Sequence, residues 1–160
     1  MEKSADKIRS ASEARKKVAA WKSRGEKVVF TNGCFDILHL GHVDYLEKAR
    51  NLGDRLIVGL NTDSSVSRYK GANRPVQDEN SRARVMSSLQ FVDMVVLFDE
   101  DTPKELITSL VPDVLVKGSD YLAENIVGAD VVKKAGGEVK TLDFIAGYST
   151  SKVIEKIKKT

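Results

Sequence analysis

The chain has few of the residues that cross-link or anchor a protein. It contains one cysteine and three prolines among 160 residues. A single cysteine excludes an internal disulfide and fits a reducing compartment. No apolar run approaches the roughly 20 residues that a membrane-spanning helix needs, and the N-terminus lacks the apolar segment of a signal peptide. We therefore expect a cytoplasmic protein with no membrane partner.

An excess of one charge is also missing. The formal net charge is only +3, from 26 basic and 23 acidic residues. Aromatic residues make up 6% of the chain, and no stretch interleaves them with lysine or arginine as nucleic-acid-binding surfaces do. We therefore expect no nucleic-acid partner, whereas the mild positive charge suits small anionic ligands. The length suits one domain, with 41% apolar and 31% charged residues as in globular proteins.

Short apolar runs alternate with helical patterns throughout the chain. This alternation predicts a single-domain, Rossmann-like α/β fold, in which helices cover both faces of a parallel sheet of about five strands. In such sheets ligands bind beyond the carboxyl ends of the strands, where the strand order reverses. The predicted strands are residues 27–30, 55–60, 94–98, 114–116 and 139–142.

Capping residues mark the predicted helix starts. Ser10 and Glu13 predict a capping box that starts a helix near residue 11. Thr102 and Glu105 predict a second capping box, with Pro103 at the first helical position.

Two segments of the chain are predicted to lack regular structure. Residues 1–9 are polar and expected to be loose, and residues 67–75 are expected to form a basic loop. We assign residues 1–25 to an N-terminal helical extension and residues 26–160 to the main domain. Ser149 is expected to cap the last, amphipathic helix.

Both histidines of the chain lie in one turn, between the first predicted strand and the next helix. His39 and His42 are spaced to share one face of a helix's first turn, where free N–H groups and the helix dipole favour an anion. The stretch therefore predicts a phosphate-binding site. A metal site with Cys34, Asp36 or Asp44 is the rival interpretation. Zinc needs three or four donors at defined spacing, and no second cluster exists.

A second candidate element precedes the last helix. Ser149, Thr150 and Ser151 carry hydroxyl groups that, together with free N–H groups, can meet phosphate at a helix start. Lys70 follows the second strand and Lys117 ends the fourth. Because these loops converge at one edge of a parallel sheet, we expect the two elements and the lysines to meet.

These motifs carry a family resemblance. The run Asn32-Gly-Cys-Phe-Asp36 followed by His39-Leu-Gly-His42 resembles the signature of the nucleotidyltransferases with a histidine-x-glycine-histidine motif. Gly147-Tyr-Ser-Thr-Ser151 is similar to the hydroxyl-rich motif that these enzymes carry before their last helix. Phe144-Ile-Ala146 stands where some cytidylyltransferases have an arginine, which disfavours the glycerol-phosphate and choline-phosphate branches.

Further segments narrow the resemblance. Pro112-Asp-Val-Leu-Val-Lys-Gly-Ser-Asp-Tyr121 and Gly136-Gly-Glu-Val139 are similar to the D-glycero-β-D-manno-heptose 1-phosphate adenylyltransferases, and the resemblance covers nearly all of residues 27–158. In many bacteria this activity is one half of a bifunctional protein with a sugar kinase. A chain of 160 residues has no room for the kinase, so we expect the stand-alone form.

The resemblance implies a reaction. AMP passes from ATP to heptose 1-phosphate, which gives ADP-heptose and pyrophosphate for lipopolysaccharide or other surface-glycan synthesis. Mg²⁺ is implied as a cofactor, bound mainly through the triphosphate rather than by a protein metal site. Relatives are commonly dimers, so a homodimer is a possible assembly.

The resemblance also implies roles for individual residues. His39, His42 and Lys70 are the predicted catalytic residues, which stabilise charge during an in-line displacement without a covalent intermediate. Arg82, on the helix after the basic segment, is a further candidate to reach the site. The predicted nucleotide-binding residues are Asn32, Gly33, Cys34, Phe35, Gly41, Lys117, Gly118, Tyr148, Ser149, Thr150 and Ser151. The predicted acceptor-binding residues are Asp36, Arg74 and Asp120, although Asp36 is also interpreted as a residue that ties down the turn.

Two alternatives stay open. The acceptor could be glycerol 3-phosphate, ethanolamine phosphate or FMN, with either ATP or CTP as the donor. A non-catalytic nucleotide-binding regulator would bind ATP without releasing pyrophosphate. The intact histidines and the intact serine run argue against the regulator.

Overall fold

Five parallel strands form one sheet in a computed structural model that describes residues 1–160. The strand order is β3-β2-β1-β4-β5, so the predicted fold class is confirmed. The strands are β1 (Val28–Gly33), β2 (Arg55–Asn61), β3 (Met94–Phe98), β4 (Val114–Gly118) and β5 (Glu138–Leu142).

Helices follow the strands in alternation, with 3-10 turns at Ser4–Lys7 and Ala123–Asn125. No helix is long and apolar enough to cross a membrane. The α-helices are α1 (Ala11–Ser23), α2 (Leu40–Arg50), α3 (Asp63–Lys70), α4 (Glu79–Ser88), α5 (Lys104–Leu110), α6 (Ala129–Lys134) and α7 (Thr150–Lys158).

The sheet separates two hydrophobic cores. On one face α1, α5 and α6 enclose a cluster that includes Trp21, Phe30 and Ile107. On the other face α2 and α4 enclose a cluster that includes Leu46 and Met86. The central strands bury side chains on both faces, which is why they form continuous apolar runs in the sequence.

The strand order reverses between β1 and β4, and these strands part at their carboxyl ends. Their ladder pairing stops at Phe30 and Leu115, although both strands continue. Beyond that point the Thr31 hydroxyl donates to the Val116 carbonyl at 3.0 Å. A crevice therefore opens where ligands bind in parallel α/β sheets.

The N-terminal segment is ordered, so the expectation of a loose segment is wrong. Ile8 forms a parallel bridge with Val95 of β3. The ammonium group of Lys7 donates to the Val92 carbonyl at 2.8 Å. These contacts cover the edge of the sheet. The division of the chain at residue 25 stays a prediction.

The predicted basic loop is partly helical. Thr62 caps α3 by accepting a bond from the Ser65 N–H at 3.2 Å, and the helix continues to Lys70. It ends at Gly71, whose φ of 101° lies in the region that favours glycine. Lys70 is therefore held at a helix end rather than carried on a loop.

Of the predicted capping boxes, one is confirmed and one is wrong. Ser10 and Glu13 exchange both bonds of the box at the start of α1. Helix α5 begins at Lys104 with Pro103 as its N-cap, and no side chain caps it. The helix starts one residue later than predicted, so Thr102 is not at the capping position.

Candidate active site

The two histidines lie at the junction of β1 and α2. His39 is the N-cap of α2, and its side chain makes no capping bond. Its ring stacks on the ring of His42, with the centroids 3.7 Å apart. Phe35 packs edge-on against His42 at 5.3 Å between centroids. The imidazole of His42 is therefore fixed on two sides.

Both histidines are neutral near pH 7. Burial lowers the pKa of His39. Burial, His39 and Lys70 together lower the pKa of His42 to about 4, against a smaller opposing effect of Asp36. The Nδ1 atom of each ring is buried without a hydrogen-bond partner. A neutral imidazole carries one N–H donor and one acceptor nitrogen, so each ring can donate one hydrogen bond to a ligand.

Asp36 organises the segment after α3. Its side chain is almost fully buried, and it accepts bonds from the N–H groups of Val76 at 2.8 Å and Gln77 at 2.9 Å. Arg74 Nε lies 3.3 Å from the same carboxylate. These contacts agree with the interpretation of Asp36 as the residue that ties down the turn. Asp36 and Arg74 satisfy each other, so an acceptor role for either stays a prediction.

Two adjoining cavities lie at the carboxyl ends of the strands and form one cleft. The smaller lobe, about 190 Å³, is bordered by His42, Gly118, Asp120, Phe144 and Thr150, among others. The larger lobe, about 390 Å³, extends from β2 towards the segment before α6. The residues that line both lobes are Asn32, Gly33, Cys34, Lys70, Lys117 and Tyr121.

The start of α7 reaches the same cleft. Ser149 caps α7 by accepting a bond from the Lys152 N–H at 3.2 Å, as predicted. Thr150 borders the smaller lobe together with His42. A β-carbon added to Gly41 would lie 3.3 Å from Tyr148 Cβ. The two helix starts therefore lie side by side, whereas Ser151 is exposed and borders neither lobe.

Lys70 and Lys117 stand at the boundary between the lobes. Lys117 Nζ donates to the Asn32 carbonyl at 3.4 Å and lies 5.2 Å from the centre of the Tyr121 ring. Burial lowers the pKa of Lys117. Two lysines beside two helix starts give this part of the cleft the donors and the positive charge that favour phosphate groups.

Comparison with known proteins assigns the family. The family model described as cytidylyltransferase-like matches residues 30–156. The chain belongs to the cytidylyltransferase-like family. The nucleotidyltransferase predicted from the histidine motif is thereby confirmed at the level of the family.

Relatives of this cytidylyltransferase-like chain include longer proteins. It is 54% identical to the bifunctional protein HldE of Magnetococcus marinus over 95% of its own length, and 60% identical to that of Azorhizobium caulinodans over 87%. The chain spans about a third of the length of these relatives, 31% and 29%. These likenesses confirm the predicted resemblance.

Solved structures agree with this assignment. A lipopolysaccharide core biosynthesis protein from Thermoplasma volcanium is 35% identical, with a TM-score of 0.60, over 76% of this chain and 98% of that one. A pantothenate synthetase from Thermus thermophilus has a TM-score of 0.62 over 96% of this chain and 70% of that one. At 18% identity this second likeness shows the fold alone.

Three predicted site glycines allow close packing of rings against the backbone. A β-carbon at Gly41 would lie 3.0 Å from the His39 ring, and one at Gly33 would lie 2.9 Å from the Phe35 ring. One at Gly118 would overlap the Phe144 ring. These glycines therefore leave room for the rings of His39, Phe35 and Phe144 against the backbone.

The expectation that Arg82 reaches the ligand site is wrong. Its side chain is fully buried beneath the cleft. Its guanidinium group donates to the Cys34 and Asn61 carbonyls, both at 2.8 Å, and pairs with Asp63 at 2.8 Å. A further bond reaches the Gln77 carbonyl at 3.0 Å. Arg82 therefore joins the segments that follow β1 and β2.

The structure shows no cluster of side chains that would support the metal-site interpretation. No group of three or more histidine, cysteine, aspartate or glutamate side chains could hold an ion. Cys34 Sγ instead lies 3.9 Å from the Asn61 side-chain oxygen.

The depressed pKa of His42 predicts an effect of pH on stability. The pKa of His42 is 6.5 in the unfolded chain and about 4 in the folded chain. Between these pH values the unfolded chain binds a proton at His42 and the folded chain does not, so a falling pH favours unfolding. Stability contributed by neutral His42 should be present above about pH 6.5 and lost as the pH falls towards 4. The free energy of unfolding can be measured in urea at about pH 7 and at about pH 4.5. Its decrease between these two pH values should be roughly 2 kcal/mol smaller in His42→Gln than in the wild type. Equal acid destabilisation of both proteins would contradict the burial of a neutral ring.

Proposed function

We propose that the protein transfers AMP from ATP to D-glycero-β-D-manno-heptose 1-phosphate, giving ADP-heptose and pyrophosphate for lipopolysaccharide or surface-glycan synthesis. One observation carries this proposal: two anion-favouring helix starts and two lysines border a single cleft at the reversal of strand order. The likeness to a lipopolysaccharide core biosynthesis protein supports the choice of pathway.

The histidine pair acts on the α-phosphoryl group. Neutral His39 and His42 can each donate an N–H to its oxygens, where negative charge grows as the phosphorus becomes five-coordinate. The stacking of the rings holds these donors in place before the reaction. Donors fixed in advance around developing charge usually supply the largest catalytic contribution.

The start of α7 holds the leaving group. The N–H groups of Thr150 and Ser151 stand in the first turn of the helix, where they have no partner within the helix. Together with the Thr150 hydroxyl they bind the β- and γ-phosphates. The helix dipole stabilises the negative charge of the departing pyrophosphate.

The reaction is a single in-line displacement. An oxygen of the acceptor phosphate bonds to the α-phosphorus, and the bond from that phosphorus to the bridging oxygen breaks. Pyrophosphate leaves with the electron pair. Lys70 and Lys117 neutralise the phosphates on either side, and Asp120 orients a hydroxyl group. Positioning and charge stabilisation carry most phosphoryl transfer.

Mg²⁺ enters as part of the substrate, MgATP. The chain has no cluster of donors that would hold the ion alone, and this ion is commonly bound through substrate phosphates. A cytoplasmic location, where ATP is abundant, and a homodimer belong to the same proposal.

Product analysis tests the function. The protein is incubated with Mg²⁺, ATP or CTP, and a panel of heptose 1-phosphate, other sugar 1-phosphates, glycerol 3-phosphate, ethanolamine phosphate and FMN. Mass spectrometry should find ADP-heptose and an equal amount of pyrophosphate. Turnover of another acceptor, or of CTP alone, would refute the proposed substrate. Binding of ATP without pyrophosphate release from any mixture would indicate a regulator instead.

A further inference from the structure

The backbone of Phe35 adopts a conformation that is rare for a bulky residue. Its φ is 43°, in the left-handed region, and Val111 is the only other non-glycine residue with a positive φ. A β-carbon makes this conformation unfavourable, so it persists only where the surrounding structure holds it in place. Strained backbone of this kind concentrates at functional sites, and Phe35 borders the smaller lobe of the cleft.

Both neighbours of Phe35 are held by residues that lie far away in the chain. On one side, the Cys34 carbonyl accepts a bond from the guanidinium group of Arg82 at 2.8 Å. On the other side, the buried Asp36 carboxylate accepts bonds from two N–H groups of the segment after α3. These contacts fix the chain before and after Phe35 and so maintain its strained conformation.

The Phe35 ring lies against the Gly33 backbone and the ring of His42. A β-carbon at Gly33 would lie 2.9 Å from the Phe35 ring, so a glycine at this position leaves the ring its space. The contact with His42 is edge-on, with 5.3 Å between the ring centroids and 65° between the ring planes. Phe35 belongs to the core beneath α2 and α4, and close packing in such a core limits how far the ring can move.

No hydrogen bond at Nδ1 orients the His42 ring. This atom is buried without a partner, whereas a histidine that acts through one nitrogen is commonly oriented by a hydrogen bond at the other. The rings of His39 and Phe35 on its two sides therefore fix its direction. Because the His39 side chain makes no capping bond, Phe35 is the neighbour that is anchored in the core.

We propose that Phe35 is a positioning residue, whose ring sets the direction in which His42 donates its N–H to the α-phosphoryl group. The inference rests on the proposed function, which gives His42 that role. Phe35 acts through His42 rather than by contact with the nucleotide. Its loss should slow the chemical step, because a donor turned away from the developing charge stabilises that charge less. The affinity for ATP should hardly change.

Phe35→Leu tests the role by removing the ring while keeping an apolar side chain. Phe98→Leu is the matched control, since Phe98 is 5% exposed against 8% for Phe35 and lies in the core on the other face of the sheet. At saturating substrates, kcat should fall at least about tenfold in Phe35→Leu and stay within about twofold of the wild-type value in Phe98→Leu. The dissociation constant for ATP, measured by calorimetry without acceptor, should stay within about twofold in both. Phe35→Tyr keeps the ring and should retain at least about a third of the wild-type kcat.

The ring signals of His42 give a measurement that does not depend on turnover. The chain has only two histidines, so their ring signals can be followed separately by NMR. In Phe35→Leu the His42 signals should broaden or double, because the ring then samples more than one direction. In Phe98→Leu they should stay as in the wild type.

Three results would overturn the inference: equal kcat values in Phe35→Leu and Phe98→Leu, unchanged His42 signals in Phe35→Leu, or weaker ATP binding with an unchanged kcat. The last result would make Phe35 a ligand contact. Circular dichroism checks folding, and Phe35→Met, which fills more of the ring's volume, replaces Phe35→Leu if that variant does not fold. A wild-type protein that transfers nucleotide to no acceptor would contradict the proposed function, and the His42 signals would still show whether Phe35 holds the ring.

Discussion

Replacing His42 by alanine should lower turnover at least about tenfold, and by roughly 10²–10³ if its N–H acts as a full transition-state donor. The ring lies between His39 and Phe35 and borders the smaller lobe. Its loss removes one donor and also the surface on which His39 stacks. The rate of pyrophosphate release at saturating substrates measures the effect.

The conservative variant separates chemistry from packing. His42→Asn keeps a side-chain N–H and should retain more activity than His42→Ala, while both should remain folded by circular dichroism. The KM for ATP should change less than kcat, because the donor acts mainly on charge that develops in the transition state. Near-normal turnover in His42→Ala would refute the catalytic role.

Replacing Arg82 by methionine should destabilise the fold by roughly 2–4 kcal/mol, because the Cys34 and Asn61 carbonyls lose their hydrogen-bond donor. The Arg82 side chain is fully buried and satisfies the Cys34 and Asn61 carbonyls as well as Asp63. Methionine fills most of the volume but supplies no donor. The free energy of unfolding in urea measures the loss.

Arg84→Met is the matched control, two residues further along α4. Arg84 is exposed, so its replacement should change stability by less than about 0.5 kcal/mol. Cys34 and Asn61 both line the cleft, so Arg82→Met should also weaken ATP binding under conditions in which it is folded. Equal stability of the two variants would show that the buried network contributes little.

The sheet was predictable because its strands have a simple physical signature. A strand buried on both faces must be apolar throughout, as β1, β2 and β4 are over most of their length. The edge strand β5 is mostly exposed and only partly apolar, yet each of the five predicted strands overlaps a strand of the sheet. The ends were less predictable: β1 continues to Gly33, past the last apolar residue. Asn32 and Gly33 continue the strand because its backbone pairs with β2, whatever their side chains are.

The convergence of His42, Thr150, Lys70 and Lys117 also follows from the sequence. Lys117 lies at the carboxyl end of β4, and the other three residues belong to segments that follow β1, β2 and β5. Parallel strands end at one edge of the sheet. The contacts of Asp36 and Arg82 could not be predicted, since each reaches residues far away in the chain. The larger lobe is lined by residues from several separated segments, and some of them, such as Asn125–Val127, carry no local motif.

The most direct test asks whether the histidine pair and the start of α7 bind one polyphosphate. A non-hydrolysable ATP analogue with Mg²⁺ is titrated into ¹⁵N-labelled protein, and the ring signals of the chain's only two histidines are followed by NMR together with the Thr150 and Ser151 amides. Both sets should shift along one binding curve with one dissociation constant. A response of only one set, or two different dissociation constants, would contradict the account.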